Sequence, residues 1–227
     1  KTEIAAKLKD DFLNIIELCA KSDPLSLSSS AMADRSLKNI ALSYVGSLSG
    51  KNEKALVLEH YTTAANMTDE MSAFKILSNM GMDTKADAVD QFYRKWHHDK
   101  LVLDKWFSVQ AFSCLPDTLN KVGKLLYHPD FTIKNPNKVR ALLNTFAMFN
   151  QINFHQNNGK GYSFVADRII EIDRINHMVA ARLAGCFNHW KKYDTVRKDL
   201  METQLKKIIA SDNLSKNVYE IVSRALE

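Results

Sequence analysis

Along this chain apolar residues return every three or four positions, almost from end to end. Phe12, Ile15, Ile16 and Cys19 do so, then Leu37, Ile40, Ala41, Tyr44 and Val45, then Val139, Leu142, Leu143 and Phe146, then Val165, Ile169 and Ile172. That is the period of a helix with one buried face. Apolar–polar alternation never runs long enough to specify a strand. The turn residues agree. The 227 residues hold 7 Gly and 4 Pro, together about 5%, less than half the ordinary share. A β-sandwich or barrel needs many tight turns and their glycines, so both are excluded. The fold expected is all-α: an α-solenoid or superhelix of about a dozen stacked antiparallel helices of roughly 10–18 residues.

Local signals place the segments. Residues 1–20 read as one helix. Asp23-Pro24 and the serine run Ser26–Ser30 make a loop. Thr84-x-x-Asp87 resembles a capping box. Asn135-Pro136 is the clearest start signal, with Asn at the N-cap and Pro at the first helical position. The stretch 150–161 reads as the longest polar loop. Asn176 marks the start of a helix expected to run to Lys191, and Asp194 caps the next. The chain opens on Lys1 rather than Met, already inside a helix, which predicts a piece of something longer.

Most catalytic classes find no footing. The net charge of +5 is mild, and no basic stripe of the kind that tracks nucleic acid is present. No run approaches the roughly 18 apolar residues of a membrane span. Cys19, Cys114 and Cys186 are too few and too far apart for a disulfide framework or a C-x-x-C site. None of the seven histidines is followed by Glu, and none has another His three or four residues on, so the two-imidazole zinc helix of metallopeptidases is absent. Gly46-Ser47-Leu48-Ser49-Gly50-Lys51 fails as a phosphate loop, having three residues between its glycines where four are needed. It also fails as a nucleophile elbow, since Leu48 stands where Ser is required. Composition and spacing alone predict a soluble helical domain and no chemistry.

One segment is unusual in a chain so poor in glycine: Phe154-His155, then Gly159-Lys160-Gly161-Tyr162-x-Phe164. Either its aromatics pack to fix a loop, or the loop meets another domain or a ligand. Here the sequence is similar to a family. Asn135-Pro136-Asn137-Lys138-Val139-Arg140-Ala141-Leu142, this aromatic and glycine segment, Asp173-x-x-Asn176, Val179-Ala180-Ala181-Arg182-Leu183 and Tyr193-Asp194-x-x-Arg197 resemble the C-terminal end of the aminopeptidase N family, zinc-dependent alanyl aminopeptidases, in its bacterial and protozoan branch. Arg35-Ser36-Leu37-Lys38-Asn39 and Met67-Thr68-Asp69 resemble the same region further upstream.

The resemblance implies that residues 1–227 form a single C-terminal helical lid domain. Such a domain closes the cavity of a zinc aminopeptidase and lines its substrate channel. It implies no catalytic residue and no cofactor in this chain, zinc in the parent's catalytic domain, and an enzymatic activity that belongs to the parent alone. Carried over residue by residue, Met178, Arg182 and Arg140 fall on the channel. The implied partners are the catalytic domain of the same polypeptide and short peptides, with no nucleic acid and no membrane, in the cytoplasm. Two departures touch the channel: Asn176-His177-Met178 stands where the family commonly has Asn-Pro-Gln, and Asn158 precedes Gly159 where Asp is frequent. The alternative from another class is a free-standing helical-repeat scaffold that binds protein or RNA.

Overall fold

The computed structural model describes residues 1–227, all helix, turn and loop, with no strand. The chain divides into two compact units, Lys1–His97 and His98–Glu227.

The first unit holds α1 (Thr2–Lys7), α2 (Lys9–Cys19), α3 (Ser29–Gly46), α4 (Lys51–Thr62), α5 (Met67–Leu77) and α6 (Met82–Trp96). Consecutive helices pack on one another, and α3 also packs on α5. Leu42, Val45, Val57, Phe74, Leu77 and Phe92 fill the core, the rings of Phe74 and Phe92 stacking at 4.3 Å. Two expectations need correction. The helix expected over residues 1–20 is broken at Leu8, whose φ of −118° and ψ of 28° leave the helical region. The capping box at Thr84 is not used. Helix α6 already starts at Met82 behind Gly81, so Thr84 and Asp87 lie inside it.

Polar pairs tie α3 to α5. The Asp69 carboxylate accepts from Lys38 Nζ at 2.9 Å, from Asn39 Nδ2 at 2.8 Å and from Asn66 Nδ2 at 3.0 Å, while Asn66 Oδ1 caps the Asp69 backbone N–H. Asn66 also donates to the Pro24 carbonyl, and Arg35 to the Pro24 and Ser26 carbonyls. The upstream resemblance motifs are thus the two halves of one clasp. Burial pushes the Asp69 carboxyl up, but Lys38 and the two amides outweigh it and hold the group below its usual range.

The second unit holds α7 (Lys100–Phe112), α8 (Thr118–Leu125), α9 (Pro136–Val139), α10 (Thr145–Phe149), α11 (Gln151–Phe154), α12 (Lys160–Asp173), α13 (His177–Ala184), α14 (Thr195–Ile209) and α15 (Lys216–Leu226). A π-helical turn, Arg140–Asn144, joins α9 to α10. Helix α7 lies against this composite helix; α12 packs on α13 and α14, and α15 on both. Asn135-Pro136 starts α9 as the sequence predicts, with Asn135 Oδ1 accepting from the Asn137 N–H at 2.9 Å. Asn135→Ala is therefore expected to cost roughly 1 kcal/mol of stability; a urea melt that does not move would mean that turn holds without its cap. Lys138 points inward, its Nζ 2.8 Å from Asp104 Oδ1 and over the Phe107 ring, fixing α9 to α7.

Two further boundaries differ from expectation. Residues 150–161 are not one polar loop. Asn150 caps α11 through the Asn153 N–H, and the Asn150 and Asn153 amides donate to the Ala111 and Ser113 carbonyls. These side chains are buried because the backbone ends of α7 need partners. The helix expected to run to Lys191 stops at Ala184. A 3₁₀ turn follows over Gly185–Phe187 and another over Trp190–Lys192, which carries Trp190 to the Ala225 carbonyl at 2.8 Å.

Candidate functional site: a two-arginine cavity

The aromatic and glycine segment turns out to be a structural knot. Gly159 adopts a left-handed φ of 66° and starts α12. At Gly161 a Cβ would lie 2.5 Å from the Phe154 carbonyl oxygen, so α11 and α12 touch backbone to backbone only because no side chain is there. Phe154 and Tyr162 are fully buried, edge to face at 5.1 Å. His155, also buried, has Nδ1 2.8 Å from the Tyr162 hydroxyl and Nε2 2.9 Å from the Tyr193 hydroxyl, and its ring stacks on Tyr193. Arg197 donates from Nε to the His155 carbonyl and pairs with Asp194. Burial, and then the Arg197 charge, push the His155 imidazole down to about 4. Eight motif residues converge here, and both ring nitrogens are occupied, so this imidazole has no lone pair or proton to offer a substrate. Of the two readings of the loop, packing is the one seen.

Asp173 and Asn176 are structural too. Asp173 accepts from the Ser215 N–H ahead of α15, and Asn176 Oδ1 accepts from the Val179 N–H to start α13.

The three candidate residues lie elsewhere, and the structure brings all of them together. Arg140, Met178 and Arg182 line one cavity of about 240 Å³ with Pro136, Asn144, Asn176 and Val179. Its walls come from the composite helix α9–α10 and from the first two turns of α13. Met178 is 69% exposed, so it is no core residue. Arg140 donates only to Asn137 Oδ1 at 3.1 Å, and Arg182 has no hydrogen bond or ion pair. No carboxylate lines the cavity, so two permanent cations share a wall with a thioether and a valine. That combination suits an extended ligand offering oxygen acceptors and an apolar side chain. Sequence reasoning did not single out Asn144, which is buried in the same wall. Its signal is weak: a polar residue within an apolar run, next to Leu142 and Leu143.

Nowhere do three or more His, Cys, Asp or Glu side chains gather so as to hold a metal. The three cysteines are free. No helix is long and apolar enough to cross a membrane.

A family model described as a domain of unknown function with ARM repeats, DUF3458_C, matches residues 1–227. The chain belongs to this family. ARM repeats are stacked helices, so the all-α solenoid class holds. The chain is 38% identical over 226 residues to aminopeptidase N of Caulobacter vibrioides and 34% identical over 227 residues to aminopeptidase N of Haemophilus influenzae. In each case the match takes in all of this chain and 26% of the relative. Aminopeptidase N of Escherichia coli is 31% identical over 223 residues. A crystal structure of Legionella pneumophila aminopeptidase A in complex with aspartic acid matches with a TM-score of 0.90 at 32% identity, over 99% of this chain and 27% of that one. The chain thus spans about a quarter of the length of these relatives, and it is similar to their C-terminal region.

Proposed function

We propose that residues 1–227 work as one lid domain of a longer zinc-dependent aminopeptidase, which removes N-terminal residues from short peptides. The domain bounds the substrate cavity, and Arg140, Arg182 and Met178 meet the peptide beyond the residue being removed. The observation that carries this reading is the pair of arginines without carboxylate partners on a wall shared with an exposed methionine. A guanidinium facing solvent beside an apolar side chain is placed for a carbonyl or carboxylate that arrives from outside. The relatives' names supply the reaction class. In this reading zinc and every bond-breaking group belong to the rest of the polypeptide, and no catalytic step is assigned here. The catalytic domain is the partner in this reading. The three reduced cysteines favour a cytoplasmic enzyme.

In the full-length enzyme, Arg182→Ala is expected to raise KM for tri- and tetrapeptides about tenfold or more relative to a single-residue arylamide. A lost charge-assisted hydrogen bond of roughly 1.5–3 kcal/mol has that effect. Only the longer substrate extends far enough to lose the contact. Equal losses on both substrates would assign Arg182 to structure and remove the cavity from the substrate path.

A further inference from the structure

Asn144 is 8% exposed and lies in the cavity wall, yet its carboxamide has no partner: Oδ1 is enclosed without a hydrogen bond, and Nδ2 donates to no protein atom. A buried amide left unpaired costs free energy that an apolar residue of the same shape would not. The knot around His155 and the Asn150–Asn153 pair hydrogen-bond their buried amides and ring nitrogens, whereas the one buried amide of this wall is left without a partner. The π-helical turn carries both Arg140 and Asn144. It leaves Arg140 exposed at the rim and Asn144 buried within. Turns of this kind occur frequently at binding sites.

The donors and acceptors of the wall say what would complete it. Arg140 and Arg182 can only donate. Asn176 Oδ1 is already engaged by the Val179 N–H. Among the lining side chains, Asn144 alone holds an uncommitted carbonyl oxygen. No hydrogen bond within the protein holds its terminal torsion, which is broad and two-fold, so a rotation that presents Oδ1 to the cavity breaks no existing bond. A simple anion would need only the arginines. A peptide backbone needs a donor for its C=O and an acceptor for its N–H, and this wall offers both.

We propose that Asn144 is a specificity-determining residue of the cavity, accepting a hydrogen bond from a backbone N–H of the bound peptide while an arginine holds a neighbouring carbonyl or carboxylate oxygen. The inference rests on reading the cavity as a peptide site. In the full-length enzyme, Asn144→Leu is expected to raise KM for tetra-alanine about tenfold relative to an alanine arylamide. Tetra-alanines N-methylated at the second, third or fourth residue complete the cycle. One of these methyl groups should raise the wild-type KM by a similar factor and leave the Asn144→Leu enzyme indifferent. The variant should melt no lower than wild type, since it removes an unpaired group; Asn144→Ala serves in its place if leucine does not fit. An unchanged KM ratio, or a methyl effect equal in both enzymes, overturns the proposal, and a lowered melting temperature with unchanged kinetics would make Asn144 a structural residue. Arg182→Ala separates the two readings. If it shifts the ratio and Asn144→Leu does not, the cavity stands and Asn144 falls; if neither does, both fall.

Discussion

Asp69→Ala is expected to lower the stability of the first unit by roughly 3–5 kcal/mol, the usual cost of removing one partner from a buried ion pair. The clasp explains the size. Lys38 is 12% exposed at its side chain and Asp69 8%, so the remaining ammonium would sit in a largely dry site with no counter-charge. Asn39 and Asn66 would each lose an acceptor as well. Removing both charges should cost far less than removing one, because the penalty lies in the orphaned cation. The double variant Lys38→Met/Asp69→Leu is therefore expected to recover much of the loss. Urea unfolding of the three proteins decides it. A loss below about 1 kcal/mol for Asp69→Ala would mean that Lys38 escapes to solvent and that the clasp is ornamental to stability.

The second large effect is a pH dependence set by His155. The free imidazole titrates near 6.5 and the buried one at about 4. Above pH 6.5 the ring is neutral in both states and contributes nothing to the slope. Between 6.5 and 4 the unfolded chain takes up a proton that the native knot refuses, so stability falls as pH drops; below 4 both states are charged and the loss is complete. A shift of this size corresponds to a total of about 3 kcal/mol. Burial also lowers His60 and His128, so the assignment needs the residue itself. The His155 ring resonance in an NMR titration should stay fixed from pH 7 to about 5. The His155→Asn variant, less stable at neutral pH, should show a shallower slope. A His155 resonance that titrates near 6.5 would sink the account. Asp69 acts in a separate window. Its carboxyl is held below the ordinary range by Lys38 and its amides, so its contribution persists through this range and fades only at lower pH.

The helical class was legible because it depends on a pattern repeated through the whole chain, which no single exception can spoil. Caps were legible where a side chain does the capping locally, as at Asn135, Asn176 and Asp194. Boundaries failed where tertiary contacts decide them. Nothing near Leu8 announces a break. The polar run after Phe149 reads as a surface loop because its asparagines look solvated; their true partners are the carbonyls of Ala111 and Ser113, nearly forty positions away. The knot was half legible. Its aromatics and glycines stood out, but the bridge from Tyr193 to His155 joins segments that sequence keeps apart. Of the cavity, the family resemblance pointed to Arg140, Met178 and Arg182, and helical spacing put two of them on one face. Asn144 stayed hidden, since an unsatisfied amide is a property of its surroundings and leaves no mark in the residue order.

The wide turn that carries Arg140 has a consequence for time as well as for shape. Ala141, Leu142, Leu143 and Asn144 are all buried in succession, which no helix lying on a surface can achieve. Their amides have no small fluctuation through which to meet water. In hydrogen exchange they should behave as the slow core of the second unit, opening only when that unit opens as a whole. Across the cavity, Met178 stands on the exposed first turn of α13 and changes rotamer in picoseconds to nanoseconds. A ligand entering this space meets one wall that holds still and another that yields. The backbone that carries Arg140 is set in advance, while the exposed thioether adjusts to whichever side chain follows.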